Sequence, residues 1–484
     1  MEKNIYIYGA GLYARILCSY FQLVKSEQQI RGFIVSDANG NLSSLFGLRV
    51  YGFESIRPEL DDNSVIYIAV SDNLLGEISS LLDDNGIKNY VAVDLDMQKE
   101  IIRSIKDYFD DNPVQSNKII IECYDGADYC CNPKYIVEGL HKTGADIDVV
   151  WSVQNGPREG FPEYVRQVEK FSKEYFYEFY TSRLLISNSG MEFNARRKEQ
   201  YHIETWHGTG PLKKSGYDAS YDASLYMETM EKSPDVCLAA SEFNVGFYRT
   251  AYHYKGEVMR SGFPRNDIFF KENEETALKI YRTYNIDPNK KIVLYAPTFR
   301  GWKSVKSFDQ YDMDIDKVMG ALKERFGDEY VLLGRYHHFL RNYTESKRWQ
   351  GEVINVSDYP DTQELLVSAD VLITDYSSIM WDFSLQRKPV FLYHNDEKEY
   401  LDERGFYCPP RELPYPTGHD NEELCNKILN FDEQEYVERL NAFFDKYGAF
   451  DKGDATDQVV SRIMKVLNGM TFEDRENESG LKRF

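Results

Sequence analysis

Short apolar runs alternate with helical stretches along most of this chain, and that alternation leaves few folds open. A run that is apolar at consecutive positions reads as a strand buried on both faces, and a helix between two such strands returns the chain so that they lie parallel. Asn4-Ile-Tyr-Ile-Tyr8 begins a first series, continued by Gly32-Phe-Ile-Val-Ser-Asp37, Ser64 to Val70 and Tyr90 to Asp94, with a helix over 73–85. A second series starts at Lys118-Ile-Ile-Ile-Glu122 and passes through 147–153, 184–187, 201–206 and 235–240 to 257–262. A third holds Ile292-Val-Leu-Tyr-Ala296, Tyr330-Val-Leu-Leu-Gly334, 353–355, 371–374 and 389–393, with helices at 316–326 and 363–368. The expected fold class is therefore α/β, with doubly wound units at 1–95, 118–285 and 286–470. Residues 96–117 read as a connecting helix and linker, and 471–484 as a flexible polar tail.

A chain of 484 residues agrees with about three units of roughly 150 residues each. Its net charge of −22 argues against duplex nucleic acid as a partner, because affinity there comes from a basic surface that neutralises phosphates. Two local basic clusters stand out against that charge, Arg196-Arg197-Lys198 and Lys213-Lys214. Apolar runs stay well short of the roughly 20 residues of a spanning helix, and Met1 to Ile7 runs straight into a glycine turn rather than forming a signal peptide. The expectation is a cytoplasmic protein. Seven cysteines without paired metal spacing are expected as reduced thiols.

Within the first unit, Gly9-Ala-Gly-Leu-Tyr-Ala14 makes a tight turn between a strand and a helix, the setting in which a helix N-terminus receives an anion. Asp37, at the end of the second strand, stands where an acid could hold a ribose. Gly9, Gly11 and Asp37 are thus candidate ligand residues for a nucleotide or sugar nucleotide. G-x-G-x-x-A alone is a weak signal, and a structural or regulatory role for this Rossmann-like unit is the competing view.

Polar groups gather at the strand ends of the other two units, where a cleft between them would open. Glu204-Thr-Trp-His-Gly-Thr-Gly-Pro-Leu-Lys-Lys214 supplies His207, able to take a proton near neutral pH, with Thr209, Lys213 and Lys214 as phosphate or acceptor contacts. One histidine in a glycine turn is, taken alone, more often structural. Gly262-Phe-Pro-Arg-Asn-Asp267 offers Arg265 for phosphate and Asn266 for a hydroxyl. Thr298 and Arg300 end one strand, Arg335, His337 and His338 another, and Ser377 and Ser378 lead from a third into a helix. Four strand ends delivering polar groups together are hard to attribute to solvated loops. Asp312-Met-Asp-Ile-Asp316 has the look of an acidic metal motif, but its place before a helix favours capping.

Trp206-His-Gly-Thr209, Gly262-Phe-Pro-Arg-Asn-Asp267, Tyr295-Ala-Pro-Thr-Phe-Arg300, Arg335-Tyr-His337 and Ile373-Thr-Asp-Tyr-Ser-Ser378 resemble, in order, the motifs of the CDP-glycerol glycerophosphotransferase family. Asn132-Pro-Lys-Tyr-Ile136 and Gly453-Asp-Ala-Thr456 match as well, so the similarity spans about 117–467 and omits the first unit. The resemblance implies a GT-B-like pair of Rossmann-type domains, an acceptor side at 118–285 and a CDP-donor side at 286–470. It implies transfer of a polyol phosphate from its CDP-activated form to a hydroxyl of a lipid-linked or glycan polymer, with release of CMP. His207 and His337 correspond to the family's essential histidines; Ser377, Ser378, Asp375 and Asp382 fall in its phosphate-binding motif. Arg265, Arg300, Arg335 and His337 would neutralise the phosphates, a role Mg²⁺ can also take. The acceptor would draw the chain to the inner face of the plasma membrane. Gly210 departs from the family pattern, in which threonine leads directly to proline. A nucleotide-sugar glycosyltransferase and a non-catalytic nucleotide-binding regulator are the rival readings.

Overall fold

The computed structural model describes residues 3–37, 41–191, 196–208, 210, 212–219, 225–298, 313–336, 353–398, 400 and 405–470. Three sheets follow one another along the chain. In the first, Asn4–Tyr8 lies between Ile30–Val35 and Ser64–Ile68, all parallel, and a short antiparallel hairpin of Ser44–Leu45 and Leu48–Gly52 closes one edge. The second is a seven-stranded parallel sheet with Gln115–Glu122 and Ser182–Ser187 at its centre. The third is a six-stranded parallel sheet built around Lys291–Ala296 and Val371–Thr374. The α/β expectation therefore holds. Central strands such as Ile119-Ile-Ile121 and Leu184-Leu-Ile186 are fully buried on both faces, as their unbroken apolar runs require.

Strands outside the sequence reading lie at sheet edges or, for Leu48–Gly52, one strand in from an edge. Val165–Glu169 pairs with Asp148–Val153, but its Val-Arg-Gln-Val-Glu sequence is interrupted by polar residues and lacks an apolar run. Thr417–Gly418 is two residues long.

Residues placed in the linker are structural. Asp94 caps the helix Leu95–Tyr108, whose Ile101 and Ile105 pack with Leu17 and Phe21 of the helix Leu12–Leu23. That core continues without a break into Phe171, Tyr175, Phe176 and Phe179 of the second unit. Arg15 crosses the junction to Glu169 at 3.0 Å and Asn155 at 2.9 Å, and Ser19 Oγ donates to Phe171 O at 2.6 Å. Arg197 is part of this joint: its guanidinium donates to the carbonyls of Phe109, Asp110 and Asn112 at the C-terminal end of the Leu95–Tyr108 helix.

The last helix, Ala455–Leu467, lies in the range read as the third unit but packs into the core of the second, where Val459, Ile463 and Val466 meet Ile136, Val137 and Leu140. Asp267 accepts from Ala455 N at 3.0 Å and Thr456 N at 2.7 Å, holding the helix start. Buried ionic clasps join the halves. Lys134 reaches Asp361 and Glu364, each at 2.6 Å, and Arg265 reaches Asp382 at 2.8 Å. All five side chains are largely buried.

Candidate active site

His207 lies just past the strand Tyr201–Glu204, in a turn that the surrounding side chains hold in place. Trp206 has φ +54°, a left-handed conformation that costs a non-glycine residue about 1–2 kcal/mol. Glu204 accepts Trp206 N at 2.8 Å, and Asn132 Nδ2 donates to Thr205 O and Trp206 O at 3.0 and 2.9 Å. Arg265 Nη1 donates to His207 O at 2.7 Å, while its backbone N donates to Asn132 Oδ1 at 3.1 Å. These contacts over-determine the turn, so the strained geometry persists.

His207 Nδ1 is 2.5 Å from Asn188 O. A carbonyl only accepts, so Nδ1 carries the proton and Nε2 keeps its lone pair. Burial pushes the pKa down to about 4; the hydrogen bond to Asn188 opposes the shift and the Arg265 charge adds to it. The ring is therefore neutral at physiological pH, stacked on Trp206 at 4.7 Å and meeting Tyr124 at 5.4 Å. Beneath it, Glu204 also accepts from Gly190 N at 2.9 Å and Ser187 Oγ at 2.5 Å, and burial raises its pKa to about 7.

The opposite wall comes from the third sheet. A Cβ placed on Gly208 would stand 3.8 Å from Ser378 Oγ, which puts the Ser377-Ser378 turn directly across from the histidine turn. Both serines are partly exposed. Arg335 Nη1 donates to Val356 O at 3.2 Å and Tyr359 O at 2.7 Å, and among the described residues no carboxylate pairs with it. Burial lowers its pKa, which marks the charge as short of compensation.

Other predicted ligand residues turn inward. Asp375 accepts Thr298 N at 2.8 Å, Thr298 Oγ1 at 2.5 Å and Tyr376 N at 2.6 Å, so it ties two strand ends together. Asp382 is shared between Arg265 and Gln363 Nε2 at 2.9 Å. Asn266 is completely buried beside Asp451. Asp375, Asp382 and Asn266 thus build the cleft, and Arg265 spends its charge on Asp382. Thr209, Arg300 and His337 lie outside the described residues. Asp314 of the acidic motif accepts from Lys317 N at 3.2 Å, a helix cap.

Lys213 and Lys214 sit on the seam between the halves. Lys214 N donates to Gly405 O and Tyr407 N to Leu212 O, pairing 212–214 with 405–407. Gly210 serves that seam: a Cβ there would collide with the Trp381 ring. In the first unit, Gly9 at φ +120° lets its strand approach Ala69 O, which a Cβ would meet at 2.6 Å. Gly11 lines a cleft of about 400 Å³ that the second unit closes with Asp125, Gln154 and Asn155. Asp37 is exposed and does not line it.

Sequence reasoning overlooked Asn188 and Tyr124, which touch His207 directly. Asn188 follows the strand Ser182–Ser187, so a search of strand ends for amides as well as charges would have found it.

A family model for CDP-glycerol:poly(glycerophosphate) glycerophosphotransferases matches residues 107–465. The teichoic acid poly(glycerol phosphate) polymerase of Staphylococcus epidermidis is 28% identical over 93% of this chain and 68% of its own length. The teichoic acid glycerol-phosphate transferase of Staphylococcus aureus is 30% identical over 72% of this chain and 93% of its own. The solved structure of the wall teichoic acid polymerase TagF matches with a TM-score of 0.67 at 26% identity, covering 82% of this chain and 99% of that one. The fold is thus GT-B-like. On the extent of that match, the chain belongs to the CDP-glycerol:poly(glycerophosphate) glycerophosphotransferase family.

Proposed function

We propose that the chain transfers glycerol phosphate or ribitol phosphate from its CDP-activated donor to a hydroxyl of a teichoic-acid-like polymer, and that His207 is the base. The observation that carries this is the neutral His207 ring, with Nδ1–H spent on Asn188 and Nε2 without a hydrogen-bond partner among the described residues, in a turn whose Gly208 lies across from Ser378. Nε2 takes the proton from the acceptor hydroxyl as its oxygen attacks the β-phosphorus. A new P–O bond forms, the bond from that phosphorus to the bridging oxygen breaks, and CMP leaves with the electron pair. Negative charge from the donor beside His207 raises its proton affinity at the moment it is needed.

Ser377, Ser378 and Arg335 are the described groups best placed for the diphosphate, and Arg335 brings a cation without a carboxylate partner among the described residues. The motif match adds Arg300 and His337 to the donor side and Thr209 to the acceptor side. Lys213 and Lys214, at the seam, meet the acceptor's phosphates. No helix of the described residues is long and apolar enough to cross a membrane, and the polymer brings the chain to the inner membrane face. Incubation with an oligo(glycerol phosphate) acceptor and CDP-glycerol, CDP-ribitol or a UDP-sugar tests the proposal. CMP release dependent on the acceptor is expected; UDP release, with none of CMP, would refute it.

A further inference from the structure

Tyr124 follows the strand Gln115–Glu122 and combines three properties that a packing residue lacks. It is 40% exposed although it lies beside the base. Its φ is +43°, and that of the next residue, Asp125, is +58°, so the chain accepts strain to present the side chain there. It is also held at both ends: its backbone N donates to Asn188 Oδ1 at 2.8 Å, and its hydroxyl donates to Cys131 Sγ at 3.4 Å. Cys131 Sγ in turn accepts from Arg265 Nη1 at 3.3 Å.

Asn188 is the common anchor. Its carbonyl receives His207 Nδ1–H and its side chain receives Tyr124 N–H, so the separation of ring and base is set by one residue. Trp206 shows what mere shielding of His207 looks like: it stacks on the imidazole and is 8% exposed. Tyr124 instead leaves ring surface exposed beside the imidazole. The ring is exposed but the phenol oxygen, held on Cys131 Sγ, is buried, and that burial raises its pKa, so the hydroxyl keeps its proton and is not a candidate base. What the residue offers is a rigid aromatic face next to the point of proton removal, and a polyol presents C–H groups between its hydroxyls that suit such a face.

We propose that Tyr124 is an acceptor-specificity residue, its ring supporting the polyol unit that bears the attacking hydroxyl at the distance from His207 that Asn188 sets. This rests on His207 acting on an acceptor hydroxyl. The test compares wild type, Tyr124→Phe and Tyr124→Ala with CDP-glycerol and an oligo(glycerol phosphate) acceptor, reading CMP release and direct CDP-glycerol binding. Tyr124→Ala should raise the acceptor KM about tenfold while donor KM and Kd stay within about twofold, and Tyr124→Phe should keep the acceptor KM within about twofold. Should Tyr124→Ala fail to fold, Tyr124→Leu, which keeps bulk without an aromatic face, carries the test. An unchanged acceptor KM in the folded variant, or an equal rise in donor KM, overturns the inference while leaving the proposed reaction intact. Absence of CMP release by the wild type would instead remove the reaction on which it rests.

Discussion

Arg265 does two jobs that a double substitution can separate. Its Nη2 neutralises Asp382 across the two halves, and its Nη1 holds the His207 carbonyl. The side chains of Arg265 and Asp382 are 4% and 5% exposed. Arg265→Met would take the cation from Asp382 while Gln363 Nε2 still donates to it, and stranding a buried charge costs about 3–5 kcal/mol. At roughly 2–4 °C per kcal/mol, the melting temperature should fall by about 6–20 °C. Arg265→Met with Asp382→Leu replaces both charges by apolar groups, and such a pair typically comes within about 1–2 kcal/mol of the parent. Activity should not follow stability. The His207 carbonyl still lacks its donor, a loss of about 1.5–3 kcal/mol that releases the left-handed turn, so kcat should stay roughly 10- to 100-fold down. Thermal unfolding and acceptor-dependent CMP release are the assays. Recovery of activity along with stability would show that Arg265 does not position His207.

Glu204 is completely buried with its pKa raised to about 7, above the 4.5 of an unfolded glutamate. The folded state holds that proton more tightly, so stability is greatest below pH 4.5 for this group and falls by about 3 kcal/mol as pH rises through 7. Glu204→Gln should flatten the stability difference between pH 5 and pH 8 by about that amount relative to wild type; identical slopes would contradict the assignment. His207 has the opposite sign. Its lowered pKa means that stability from the neutral ring is present above about pH 6.5 and lost as pH falls through about 4. The acid limb that His207 gives to kcat/KM should therefore be centred near pH 4, and a limb near 6.5 would show an imidazole in ordinary solvent. Gly210→Ala should destabilise by about 1–3 kcal/mol, because its methyl group would displace the Trp381 ring, and denaturant unfolding measures this; a neutral result would remove Gly210 from the seam.

Much of the fold was legible in the chain because parallel strands are buried on both faces and so appear as unbroken apolar runs. Ile119-Ile-Ile121 and Val371-Leu-Ile-Thr374 are read at sight, whereas the edge strand Val165–Glu169 hides behind its Arg166 and Gln167. The positions of His207 and Ser377-Ser378 were legible for a related reason: strand ends in such sheets open onto the cleft. The partners of the other polar residues were not. Arg265 and Asp382 meet across the halves, Asp375 meets Thr298 on a neighbouring strand, and Asp267 caps a helix that begins at Ala455. Each pairing is set by sheet order and by the last helix crossing back, which local pattern does not encode. Residues 96–117 looked like a linker because the helix Leu95–Tyr108 buries a narrow stripe, and the surface that receives it belongs to the distant helix Leu12–Leu23.

His207 as the base is the central claim, and a paired measurement on His207→Ala tests it most directly. Acceptor-dependent CMP release from CDP-glycerol should fall by at least about 100-fold, while CDP-glycerol binding and thermal unfolding match the wild type. Turnover within about threefold of wild type would contradict the account.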